Sequence, residues 1–118
     1  AHTLSAYYDT PHGKACAILL PTVMAYNAPF SGEKYREIAR AMGVQGVDSM
    51  SQEEYRAAAV QAVRTLAEDV GIPVTLAGIV REEDIPALAA SAYADACRPG
   101  NPRETSEADI AELFRSLL

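Results

Sequence analysis

The sequence contains no tryptophan and only two phenylalanines in 118 residues, so small and aliphatic side chains far outnumber large aromatic ones. Its two cysteines, Cys16 and Cys97, lie far apart without a CxxC spacing. Two lone thiols read better as reduced residues of an intracellular protein than as a disulfide framework. No long uncharged apolar run and no signal-peptide pattern is present, so no transmembrane segment is expected and the protein is read as soluble and cytoplasmic. The glycine-rich GxGxxG and GKS/GKT phosphate loops are missing, as is the GxSxG nucleophile elbow. Basic charge is scarce: 10 lysines and arginines face 16 acidic residues, for a net charge of −6. The deficit sits in Asp48–Leu118, with six basic and thirteen acidic side chains, against four and three in Ala1–Val47. Without a basic stripe, neither nucleic acid nor an anionic membrane surface is an expected partner.

What the chain has in quantity is alanine, at 22 residues. Alanine is the best helix former and its small side chain lets helices approach closely. The length fits one domain with a real hydrophobic core. The expected fold is therefore all-α, a bundle of five to six helices with short connections.

Residues 1–8, with Leu4, Tyr7 and Tyr8, read as the end of a helix whose beginning is cut off, and Asp9 punctuates them. Thr10-Pro11 reads as a helix start, with Thr10 as N-cap and Pro11 in the first helical position. The run Ala15, Cys16, Ile18, Leu19, Leu20, Val23 and Met24 is apolar around most of that helix and predicts deep burial, with a kink at Pro21 and an end at Asn27. Ser31-Gly32 opens a segment with Tyr35, Ile38, Ala39 and Met42 on one face, stopped by Gly43. Ser51 and Glu54 form a capping box ahead of a helix expected to bury Val60, Val63, Ala67 and Val70. Ile72–Val80 reads as a connection. A helix then runs to about Cys97 with the stripe Ile85, Leu88, Ala89, Ala92 and Ala96, broken by Pro99-Gly100-Asn101-Pro102. Thr105 or Ser106 caps the last helix, whose inward face is Ile110, Leu113, Phe114 and Leu117.

The chemistry-bearing residues concentrate in the opening stretch, which holds both histidines, His2 and His12. His12 falls in the first turn of a helix, where the dipole disfavours a cationic ring. A neutral imidazole is the metal-ligating form, although a packing or capping histidine is the commoner use. His2 can join His12 only if a loop folds one element back over the other. Asp9 reads as a loop terminator more than as an oxygen ligand. One histidine with uncertain helpers falls short of the three protein ligands of a catalytic metal site. Cys16 reads as a small core residue. Cys97, at a helix end beside Arg98, has a wall or packing role. Tyr7, Tyr8 and Tyr26 read as amphipathic packing residues, and Arg103 as one half of a structural ion pair.

The stretch AHTLSAYYDTPHGKACAILLPTVMAYN resembles the second half of the metal-site signature of the iron-containing (group III) alcohol dehydrogenases. Within that family it is similar to the lactaldehyde reductase and propanediol dehydrogenase branch. The likeness continues through FSGEKYREIARAMG, DVGIP, EDIPALA and GNPRE to the end of the chain. The resemblance implies the helical domain of a dehydroquinate synthase-like, iron alcohol dehydrogenase fold. It implies hydride transfer between NAD(P) and a small alcohol or aldehyde at Fe2+ or Zn2+, with the metal polarising the substrate oxygen. His12 matches the last metal-ligand histidine. His2 matches an active-site histidine near the nicotinamide and substrate, a catalytic and cofactor-contacting position. Cys97 falls near the substrate entrance.

The family's aspartate, its two further ligand histidines and its nucleotide-binding domain have no counterpart in these residues. Residues 1–118 are accordingly expected to be a C-terminal fragment of the helical domain, inactive by itself and holding no metal or NAD(P) tightly. Its exposed apolar surface should favour self-association. A helical interaction module without enzymatic role is the alternative, as is a metal shared by His2 and His12 of two chains.

Overall fold

The computed structural model describes all residues, 1–118, and every regular element in it is a helix. Six α-helices follow in order: α1 (His2–Tyr8), α2 (His12–Asn27), α3 (Lys34–Ala41), α4 (Gln52–Asp69), α5 (Ile85–Tyr93) and α6 (Glu107–Ser116). Short 3-10 turns fill Ala28–Phe30, Val47–Ser49, Glu82–Asp84 and Arg98–Gly100.

The helix boundaries have local causes. Asp9 ends α1 in the left-handed conformation, at φ 54°. Pro11, not Thr10, occupies the N-cap of α2: its carbonyl accepts the Ala15 N–H at 3.0 Å, and no side chain caps the helix. His12 is therefore the first helical residue. The helix continues as one element through the buried Pro21. Ser51 and Ser106 each form a complete capping box, Ser51 with Glu54 and Ser106 with Asp109. Gly43 and Gly71 leave α3 and α4 at φ 86° and 80°, a region that costs glycine nothing and other residues strain.

Two separate apolar clusters hold the helices. One joins Leu4, the first half of α2 (Ala15 and Ile18), Leu76, Ile85, Leu88 and Phe114. The other joins Met24 to Tyr35, Ala39, Tyr55, Ala59 and Val60. Helix α2 thus serves two cores, one at each end, which accounts for its weakly sided apolar pattern. α5 packs on α6, α3 on α4, α2 on α4, and α1 on both α2 and α5. The result is elongated, 44 × 31 × 20 Å. No helix is long and apolar enough to cross a membrane.

Several expectations are corrected. Val70 is 66% exposed, because it caps α4 instead of continuing its inward face, and Tyr55 and Ala59 take the buried positions. Met42 likewise lies beyond α3 and is exposed. Helix α5 stops at Tyr93, so Ala96 and Cys97 lie in the turn after it, and both are exposed. Cys16 is also exposed, on the side of α2 that borders an open cavity, and is not a core residue. The connection 72–80 contains no strand yet supplies the fully buried Leu76, whose N–H donates to the Leu117 carbonyl at 2.8 Å.

Candidate functional site

A cavity with a volume of about 470 Å³, within the range of small-molecule sites, opens between α1, α2 and the segments after α5. Its floor is apolar, from Leu19, Val23, Ile110, Leu113 and Phe114, and its rim carries His2, His12, Cys16, Asp95 and Cys97. The clustering of chemically capable groups on one rim is what makes this cavity the candidate site.

The Asp9–Pro11 connection folds α2 back on α1 and brings the two histidines together. Their rings stack with centroids 5.0 Å apart and an interplanar angle of 13°. Both come from one chain, so no second copy is needed to pair them. One helical turn after His12, the Cys16 sulfur lies 3.5 Å from His12 Nε2, a pairing that the i, i+4 spacing on α2 creates.

Asp95 is the residue that sequence reasoning missed. It follows α5, and one of its carboxylate oxygens lies 2.7 Å from His2 Nδ1, across 93 residues of chain. The other oxygen accepts the Cys97 N–H at 2.8 Å. The N–H of Cys97 first and His2 second hold the Asp95 carboxyl below its ordinary value, so it stands as an anion beside the imidazole. The only local signal was an aspartate two residues before Cys97, just past a helix end, where a side chain often accepts the next turn's N–H.

The remaining candidates separate from this group. Asp9 terminates α1 and stays outside the cluster of potential ligands. Tyr7 is exposed, and Tyr8 donates to Asp84 at 2.6 Å. Arg103 makes no ion pair: it donates to the Tyr26 carbonyl at 2.9 Å and lies over the Tyr26 and Phe30 rings at 4.0 and 4.9 Å. That cation–π arrangement packs the cavity's far wall. Asn27 and Asn101 exchange two amide hydrogen bonds, of 2.7 and 2.9 Å, and so tie the loop after Cys97 to the end of α2.

The fold is thus an all-helical unit that presents imidazoles, thiols and a carboxylate at the mouth of an apolar cavity. The chain belongs to the Fe-containing alcohol dehydrogenase family, whose C-terminal model matches residues 1–118. It is 61% identical over 117 residues to the lactaldehyde reductase of Escherichia coli K12, covering 98% of this chain and 30% of that protein. Against the 1,3-propanediol dehydrogenase of Citrobacter freundii it is 41% identical over 116 residues, again 98% of this chain and 30% of the relative. The crystal structure of a 1,3-propanediol oxidoreductase superimposes with a TM-score of 0.94 at 38% identity, over 99% of this chain and 31% of that one. An alcohol dehydrogenase from Oenococcus oeni gives 0.92 at 36% identity, over 99% and 30%. The chain therefore spans about 30% of the length of the relatives it matches.

Proposed function

We propose that residues 1–118 form the metal-side helical wall of an oxidoreductase that interconverts a small alcohol and its aldehyde, of the lactaldehyde or propanediol kind, with NAD(P). The observation that carries this reading is the His2–His12 stack on the rim of an apolar cavity, in a chain 61% identical to a lactaldehyde reductase. The nucleotide-binding domain and the other metal ligands would come from polypeptide outside these residues.

His12 fits the role of a ligand to a divalent iron or zinc ion. It is exposed on the cavity rim, at the start of a helix, and no carboxylate engages its ring. When bound, such an ion supplies Lewis acidity to the substrate oxygen. The residues of this chain supply the remainder of the wall. His2, held at Nδ1 by Asp95, turns its opposite ring edge free for a hydrogen bond to substrate or cofactor. Leu19, Val23 and Phe114 exclude water and accept a short aliphatic chain, while Cys97 stands at the rim where substrate enters. A single imidazole is one ligand of the three or more that a catalytic metal requires, so these residues alone are expected to be inactive.

A chimera tests the reading: residues 1–118 replace the matching C-terminal part of the E. coli lactaldehyde reductase. The expected result is a folded enzyme that reduces lactaldehyde with NADH in the presence of Fe2+, and that loses this turnover with His12→Ala. A folded chimera without activity, or a His12→Ala variant that keeps turnover, refutes the assignment. Turnover by the 118-residue chain alone refutes its incompleteness.

A further inference from the structure

His2, from the first turn of α1, meets Asp95 and Cys97, from the turn after α5, on the cavity rim. One nitrogen, one carboxylate oxygen and one sulfur from these three residues all lie within 4.8 Å of one another. We propose that His2, Asp95 and Cys97 form a binding site for a thiophilic divalent cation, Zn2+ being the type, separate from the ligand His12.

The chemistry of the donors selects the class of ion. Imidazole, thiolate and carboxylate together suit Zn2+ and its relatives, whereas Mg2+ and Ca2+ require oxygen. Bond lengths of about 2.0 to 2.3 Å place tetrahedral donors roughly 3.3 to 3.8 Å apart. The His2–Asp95 contact of 2.7 Å must open by less than about 1 Å, and the Cys97 sulfur must close from within 4.8 Å to about 3.5 Å, for an ion to sit between them. Rotation of exposed side chains achieves both, since His2 and Cys97 are exposed and Asp95 is half-buried.

Two features hold the donors ready. The Cys97 N–H on the Asp95 carboxylate fixes the geometry of the turn that carries both residues. Stacking on His12 limits the swing of the His2 ring. The open cavity leaves a fourth position for water, so the site has the three-plus-one form of zinc sites that keep an open position. On binding, Zn–N, Zn–O and Zn–S bonds form, the Cys97 thiol proton passes to solvent, and the proton on His2 Nδ1 is exchanged for one on Nε2. No electron is transferred, and uptake therefore releases the thiol proton.

The proposal does not depend on the enzymatic reading, because the three donors lie within this chain. The test is a titration of the reduced 118-residue chain with Co2+, followed in the near-ultraviolet for thiolate-to-cobalt charge transfer. The expected result is a band that saturates at one Co2+ per chain, disappears on addition of Zn2+, and is abolished by Cys97→Ser. It should survive Cys16→Ser and His12→Ala, while His2→Ala and Asp95→Asn weaken binding by at least about tenfold. A second measurement uses the unmutated chain: Zn2+ should protect Cys97 from alkylation and leave Cys16 reacting at its original rate. The absence of any thiolate band, a band that persists in Cys97→Ser, or one lost in Cys16→Ser overturns the proposal. So does alkylation of Cys97 at an unchanged rate. The His12→Ala arm separates the two readings, since failure of the family-type metal assignment leaves this signal intact.

Discussion

Replacing Asn27 tests whether the cavity wall depends on a polar clasp between distant segments. Asn27 is 7% exposed at the end of α2 and exchanges two amide hydrogen bonds with Asn101, of 2.7 and 2.9 Å. The Asn101 amide also donates to the Arg103 carbonyl at 2.8 Å, so its orientation is fixed from the other side. Asn27→Ala deletes both exchanged bonds, each with a net worth of about 1 kcal/mol. Asn101 is only half-buried, so water replaces part of what is lost and the full cost of an orphaned buried amide does not apply. The expected destabilisation is about 2 kcal/mol. Unfolding entropy of about 2.1 cal/mol/K per residue gives a chain of this size roughly 0.25 kcal/mol/K, so the melting midpoint should fall by about 8 °C.

Asn27→Asp sharpens the test, because it preserves shape and acceptance from Asn101 but replaces the donated bond by two facing oxygens. Asn101 cannot turn over to relieve this without giving up the Arg103 carbonyl. The folded state should therefore raise the new carboxyl's proton affinity above its unfolded value. Protonated, the carboxyl donates as the amide did, so the variant's deficit should be smallest below about pH 4 and grow as pH rises through the folded-state value. Urea unfolding of both variants between pH 3 and pH 7 reads this directly. A cost under about 0.5 kcal/mol for Asn27→Ala, or an Asp variant whose deficit is independent of pH, would refute the clasp.

Other perturbations follow from the same structure. Leu76→Ala should cost about 2 to 5 kcal/mol in denaturant unfolding, because the side chain is fully buried although it sits in a connection; a cost near zero would mean that 72–80 does not close the first cluster. Asp84, through the Tyr8 hydroxyl first, and Asp109, through the Ser106 N–H first, hold their carboxyls below the ordinary value. The unfolded chain then binds more protons, so their contribution is complete above about pH 4 and is lost as pH falls through the folded values. Thermal melts should be flat in this respect above pH 5 and decline below pH 4, and Tyr8→Phe should lessen the decline; an unchanged acid limb in Tyr8→Phe would count against it. Leu20, Leu66, Val70 and Val74 are exposed, and light scattering on a dilution series should show self-association, whereas a strict monomer throughout would contradict it.

Helix number and most boundaries were legible because they rest on local chemistry. Ser51 with Glu54 caps α4 wherever that helix packs, and Gly43 and Gly71 stop helices through their own backbone freedom. The errors fall where a tertiary position overrides the local pattern. Val70 continues the spacing of α4 but meets no neighbour at the helix end, and α5 yields to the turn that begins at Ala94 although Ala96 fits its stripe. Leu76 lies in a segment with no helical period, so nothing in its spacing reports that the Leu117 carbonyl and the first cluster receive it.

The site divides along the same line. His2 and His12 stand out as the two histidines of the chain, His12 also by its place at a helix start, and the short connection between them lets α2 return over α1. Asp95 has no such distinction: it is one of sixteen acidic residues, and its partner is 93 positions away. Its importance arises only because the break at Tyr93 turns the chain and sets Asp95 and Cys97 against α1, where the carboxylate finds His2 Nδ1. The helix end that defeated the stripe of α5 is thus the same event that builds the rim. Had α5 continued to Cys97, Asp95 and Cys97 would lie two residues apart on a helix, about 200° around its axis, and could not face His2 together. Early termination of α5 is therefore what places a carboxylate and a thiol beside the imidazole.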